Sequence, residues 1–234
     1  MGLSVAIVMS ATTSPLAPQV TPAWLMRCTA ACAVQLLRDV VPVWGGGPIA
    51  VRVASSPTDV LAGEMVFTIL DELPQAPGDV AYHDVAGNAL PVGYLGLSTC
   101  NTLDDVSTAI SHELCETLGD PACDLWVDDG AGHEWCRELC DAVEAASYPI
   151  DLGDGGPPIA VSDWLLPAFF APTAPGPYSF RGTAQGPLVT APGGYQLQRT
   201  AGGNETQVTG APRAHRAAKV AHWSSRPFRR GARL

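Results

Sequence analysis

The 234-residue chain predicts a mixed α/β (α+β) fold: a twisted mixed sheet with a long amino-terminal helix and a second, central helix, followed by a β-rich carboxy-terminal extension. Three observations predict it. Short apolar runs of strand length share the first hundred residues with one long stretch of helical period. A second helical stretch, around Thr108 to Leu118, meets two stop signals, Gly119 and Pro121. Beyond residue 150 the sequence is cut by Gly-Pro and Gly-Gly turns, the spacing of short strands.

Taken in order, Ser4 to Met9 is an apolar run that reads as a buried first strand. Pro22 suits the first turn of a helix that runs to about Val41, with Trp24, Cys28, Ala31, Leu36 and Val40 on its period. Ile49 to Val53 and Met65 to Leu70 read as buried strands. Val80 to Asp84 and Val92 to Ser98 form a hairpin round Gly87-Asn88. The central helix follows, with Asp104 or Asp105 suited to cap its start. Gly153 to Pro158 is a turn-rich connector, Val161 to Phe170 an aromatic segment whose Trp164, Phe169 and Phe170 seal a core, and Tyr178 to Val208 a set of short strands. The expected organisation is therefore a metal-site domain over 1–150, a β-rich extension over 151–211 and a basic tail over 212–234.

Composition bounds the function. A hydrophobic content of 47% with only 15% charged residues excludes a disordered chain and allows one sizeable core. The net charge of -10 divides unevenly. Seven of the 13 basic residues lie in 212–234 with no acid, so residues 1–211 carry six basic against 23 acidic residues, a net of -17. Such a tail suits a solvated terminus, with nucleic acid, an acidic surface or another copy of the chain as partners to weigh. The seven cysteines include no Cys-x-x-Cys pair, and buried thiols are expected. The short apolar start lacks a basic region before it, so no signal peptide is read, and no run reaches a membrane span. A cytoplasmic protein, or a virion component if phage-encoded, is the expectation.

The chemistry concentrates in His112-Glu113-Leu114-Cys115-Glu116, which differs from the zinc-peptidase pattern in having a carboxylate at its second end. Residues four apart share a helix face about 6 Å apart along the axis, so His112 and Glu116 can converge on one ion. Glu113 lies roughly 100° round, where a general base for a coordinated water belongs. The competing reading is a solvated polar stripe on a helix whose other face, Ala109, Ile110, Leu114, Cys115 and Leu118, packs on a core. A catalytic zinc site has three protein ligands. Glu138 and Asp141, in the return segment Glu134 to Glu144, are the candidates for the third, with Asp120 and His133 as alternatives and a solvated acidic helix as the competing structure. His83 and Tyr148 are catalytic candidates: His83 either supports the groups round the metal from behind or stabilises the oxyanion at the transition state, and Tyr148 competes for that role. For His83 the alternative is a structural histidine.

Arg38 to Trp44, Tyr82-His83-Asp84, Leu90 to Gly93, Ser111 to Pro121, Glu138 to Glu144, Val161 to Trp164 with Pro167 to Phe170, and Pro192 to Tyr195 are together more specific than the pentapeptide. On these landmarks the chain resembles, over nearly its whole length, a family of uncharacterised zincin-like proteins of bacteria and phages or prophages, in which His-Glu-x-x-Glu is the regular motif. The resemblance implies a metallopeptidase-like fold and no particular substrate. In metallopeptidases of that plan an edge strand beside the metal helix pairs with an extended peptide. Val92 to Ser98 is the candidate here, with Tyr94 and Gly96 as substrate contacts. The expected function is a zinc-dependent peptidase, with manganese or calcium as harder alternatives for a carboxylate-rich site. The alternative, from another class, is a non-catalytic structural or self-associating phage-particle component on the same scaffold.

Overall fold

The computed structural model describes residues 2–47, 49–200 and 203–211. The basic tail, with its candidate nucleic-acid role, lies outside the described residues. In chain order the elements are β1 (Leu3–Met9), α1 (Pro22–Val34), α2 (Val41–Trp44), β2 (Ile49–Ala54), β3 (Met65–Leu70), β4 (Ala81–Val85), β5 (Pro91–Gly96) and α3 (Leu103–Gly119). They continue with β6 (Trp126–Asp128), β7 (His133–Cys136), β8 (Ser147–Ile150), β9 (Ile159–Ser162), β10 (Tyr195–Thr200) and β11 (Glu205–Thr209). This is a mixed α/β protein with several sheets and one long central helix.

The chain forms two units, Met1–Cys123 with Ser147–Ser162, and Asp124–Ala146 with Asp163–Leu234. The expected boundary at residue 150 is replaced by three crossings, after Cys123, Ala146 and Ser162. The reason is local: Gly153 to Pro158 is not a connector but lies in the loop of the antiparallel hairpin β8–β9, and that hairpin belongs with the first unit.

In the first unit five strands lie in the order β2-β1-β3-β5-β4, all parallel except β4. Ile7 and its neighbours in β1 are fully buried because the strand has a partner on both sides and residues of both faces are covered. β2, expected to be buried, is an outer strand and largely half-exposed. The α-helix that starts at Pro22, capped by the Thr21 side chain on Trp24 N, widens to π-helical hydrogen bonding over Gln35–Val40 before α2.

One register row explains how the sheet reaches the site. Val53, Ile7, Phe67, Gly93 and His83 are successive partners across the five strands, so their side chains share one face. Gly93 is required there, because a Cβ would run into the Phe67 ring and stand 3.0 Å from Met65 Cε. Gly93→Ala is expected to cost about 1–3 kcal/mol by overpacking, read as a lower denaturant midpoint at unchanged slope. The adjacent row, Tyr82 opposite Tyr94, faces the other way, with the two rings 5.1 Å apart and Tyr82 packed with Leu73 and Ala76.

The loop after β1 is held by Asp71, which follows β3 and accepts the amides of Thr12, Thr13 and Ser14 at 2.7–3.1 Å. The Thr12 amide, then those of Ser14 and Thr13, bring the Asp71 carboxyl down to about 2. A depressed folded-state value means that the stabilisation is complete above the ordinary carboxyl range and fades as pH falls toward 2. The stability gap between wild type and Asp71→Asn is therefore expected to be constant above about pH 5 and to close in acid, as measured by urea unfolding at stepped pH.

The second unit holds an antiparallel sheet in the order β11-β10-β7-β6. Trp164 and Phe169 are fully buried in it, as expected, and Trp164 stacks on Phe180 at 5.1 Å. Arg199 lies 4.1 Å above the Trp126 ring and pairs with Glu134 at 2.7 Å. The segment Glu134 to Glu144 is not a helix: it is the end of β7, an irregular stretch and a short 3-10 turn at Asp141–Val143. All seven cysteines are buried and none is in a disulfide. Among the described residues no helix is long and apolar enough to cross a membrane.

Candidate metal centre

The site is built on α3. Its cap is Thr102 rather than Asp104 or Asp105. Thr102 Oγ1 accepts the Asp105 amide at 3.1 Å, and Asp105 Oδ2 accepts the amides of Thr102 and Asn101. This reciprocal box closes the first turn and sets two acids at the positive end of the helix dipole. The helix runs unbroken to Gly119, and the Asp120 amide closes it on Glu116 O at 2.7 Å. No curl of the chain brings Asp120 back toward His112 within the helix.

Rotation about the helix axis is set by Ser111. Its Oγ accepts the Ser162 amide of β9 at 2.7 Å, and Gln35 Nε2 donates to the Ser162 carbonyl at 2.8 Å. With Ser111 turned to β9, His112 one step on is turned away from it by about 100°.

Every residue from Ala109 to Thr117 is buried. That excludes the solvated polar stripe: His112 and Glu113 are each 5% exposed and Glu116 2%. His112 Nε2 stands 3.2 Å from Glu116 Oε1. Donor atoms of His112, Glu113 and Glu116 all lie within 4.8 Å of one another. His83, 2% exposed, comes up from β4, with Nδ1 3.0 Å from Glu113 Oε2 and 3.6 Å from Glu116 Oε2. Two buried imidazoles and two buried carboxylates thus meet in the first unit.

Comparison with protein-family models, curated proteins and solved structures finds no match to this chain. Burying two neighbouring carboxylates is costly unless positive charge compensates them, and a divalent cation cancels two such charges in one place. Two donors bound to one small cation at 2.0–2.1 Å in a tetrahedron stand about 3.3 Å apart, close to the His112–Glu116 separation. His112 and Glu116 fit two of the protein ligands of a metal, and the buried donors round them could hold one.

Glu138 and Asp141 are buried, at 3% and 2%, in the second unit, where Cys136 Sγ donates to Glu138 Oε1 at 3.3 Å. His133 is on β7 in that unit, with Nδ1 3.2 Å from Asp129 Oδ2 and its side chain 40% exposed, so it serves the β6–β7 turn and not a metal. Tyr148 donates its hydroxyl to Asp39 Oδ2 at 2.8 Å, which commits its proton to the π-helical segment instead of an oxyanion. Tyr94 and Gly96 lie on an inner strand and not on the expected edge. β5 is paired on both sides, and the outermost strand is β4. Both residues also face away from α3, since they alternate with Gly93 and the His83 row.

His83 lies beside the metal helix, as expected for a supporting or transition-state role, and its contact with Glu113 is what the residues alone do not give. The signal was available only as the hairpin itself: once Val80 to Asp84 pairs with the strand leading into α3, His83 has to lie beside that helix or on the opposite face.

Proposed function

We propose that this chain is a divalent-cation-dependent hydrolase of zincin type acting on peptide bonds, with zinc as the first ion to test. The observation that carries the reading is the complete burial of His112, Glu113 and Glu116 on one helix face, with the histidine and the far carboxylate 3.2 Å apart. A cation bound there supplies Lewis acidity, polarising the scissile carbonyl and making the attacking water acidic near neutral pH. His112 and Glu116 are two of the three protein ligands such an ion takes. Glu113, one residue on, takes the proton from the attacking water and returns it to the leaving amine. The outermost strand β4 takes an extended peptide by adding a strand to the sheet, in place of Val92 to Ser98. A carboxylate ligand makes the ion a weaker Lewis acid than an all-histidine set does, so manganese and calcium belong in the same assay.

The test is elemental analysis of the purified protein together with cleavage of a mixed peptide library read by mass spectrometry. The expected result is about one ion per chain, with cleavage abolished by a chelator and restored by zinc or manganese. A protein that takes up no ion from micromolar zinc, manganese or calcium, or one whose cleavage survives removal of the ion, overturns the reading.

A further inference from the structure

We propose that His83 orients the general base: its Nδ1–H holds Glu113 Oε2 and so leaves Glu113 Oε1 to meet the attacking water. This rests on the reading of Glu113 as the base of a cation-dependent hydrolase, and names a positioning residue that neither the motif nor the helix contains.

The geometry begins with the 3.0 Å contact between His83 Nδ1 and Glu113 Oε2. At this distance the two atoms share a hydrogen bond, and the proposal assigns its hydrogen to Nδ1. The same Nδ1 is 3.6 Å from Glu116 Oε2, while Glu116 Oε1 is 3.2 Å from His112 Nε2. Both glutamates therefore turn Oε2 toward His83, and Glu116 is left with Oε1 beside the other histidine. Of the two carboxylates only Glu113 is within hydrogen-bond distance of the imidazole.

A glutamate has three rotatable side-chain bonds, and an unheld base spends much of its time misaligned. His83 is well placed to remove that freedom, because it is itself fixed. Its backbone lies in the ladder opposite Gly93, and its side chain is fully buried at the end of the row that runs through Phe67. A buried imidazole is a poor choice for that place on packing grounds alone, since an aliphatic side chain fills it without a polar group to satisfy. Its hydrogen-bond neighbour Glu113 is the residue whose orientation matters. An oxyanion role is the weaker assignment, because Nδ1 faces the base.

Two experiments decide it. In the metal-free, full-length protein, long-range proton–nitrogen correlation should find His83 protonated on Nδ1, with the Nε2-protonated form rising in Glu113→Ala as the acceptor disappears. Nε2 protonation in the wild type, or no response to Glu113→Ala, overturns the proposal. In the metal-loaded enzyme, His83→Leu should lower kcat about 10- to 100-fold with KM and bound-ion content within about twofold. His83→Asn, whose amide nitrogen sits near the place of Nδ1, should recover to within about fivefold of wild type. The Leu substitution should cost nothing further in a Glu113→Gln background, as expected for residues acting as one unit.

Loss of the ion in a folded His83→Leu protein makes His83 a ligand and overturns the orienting role. So does equal loss in the Leu and Asn variants. If His83→Leu does not fold, His83→Asn and the tautomer measurement still decide. Full activity in Glu113→Gln removes the base and this role with it. A normal Glu113→Gln loss beside an unaffected His83→Leu overturns the orienting role alone.

Discussion

Glu113→Gln is expected to lower kcat for peptide hydrolysis by about 10²- to 10⁴-fold, the range that a positioned general base contributes, with the ion still bound. The substitution keeps shape and volume and removes only the ability to take a proton. Glu113 is buried beside the His112–Glu116 pair and 3.0 Å from His83, so the amide remains within hydrogen-bond reach of the same neighbours and the fold should survive. Circular dichroism and ion content should match wild type while single-turnover cleavage is lost. Activity in Glu113→Gln equal to that of wild type, with the ion present in both, removes Glu113 from the chemistry.

His112→Ala should act one step earlier, on the ion itself. Removing the only nitrogen donor on the helix face leaves Glu116 and Glu113 as oxygen donors, a set that suits a softer ion poorly. Since even outer-shell changes cost 10- to 100-fold in metal affinity, loss of a direct ligand is expected to cost at least about 100-fold. The readout need not be activity. An ion at about 100 times its Kd stabilises the folded state by roughly 2.7 kcal/mol. Wild type should therefore melt higher with zinc than with a chelator, and His112→Ala should melt alike in both. A zinc-dependent shift that persists in His112→Ala places the ion elsewhere.

Local features were legible in the residues. The strand at Ser4 to Met9, the start of the first helix at Pro22, the hairpin round Gly87-Asn88 and the end of α3 at Gly119 all follow from hydrophobic period, caps and breakers acting within a few residues. The β8–β9 hairpin was missed because Gly153 to Pro158 looks the same in sequence whether it joins two domains or two paired strands. Val92 to Ser98 leads into α3 and so reads as the edge, yet neighbours in sequence need not be outermost in a sheet. β5 pairs with β3 as well as with β4, and that parallel partner is more than twenty residues away.

The sequence by itself determined that His112 and Glu116 share a helix face with Glu113 beside them, because helical spacing is a local property of the backbone. It could not determine whether that face met water or the interior. The tertiary structure decided this by covering every position from Ala109 to Thr117, which turns a common surface pattern into a buried cluster that could hold a cation. It also delivered His83 to Glu113 through strand register. A register is a relation between distant segments, fixed by the fit of whole side-chain rows such as Phe67 against Gly93, and no short window of sequence contains it.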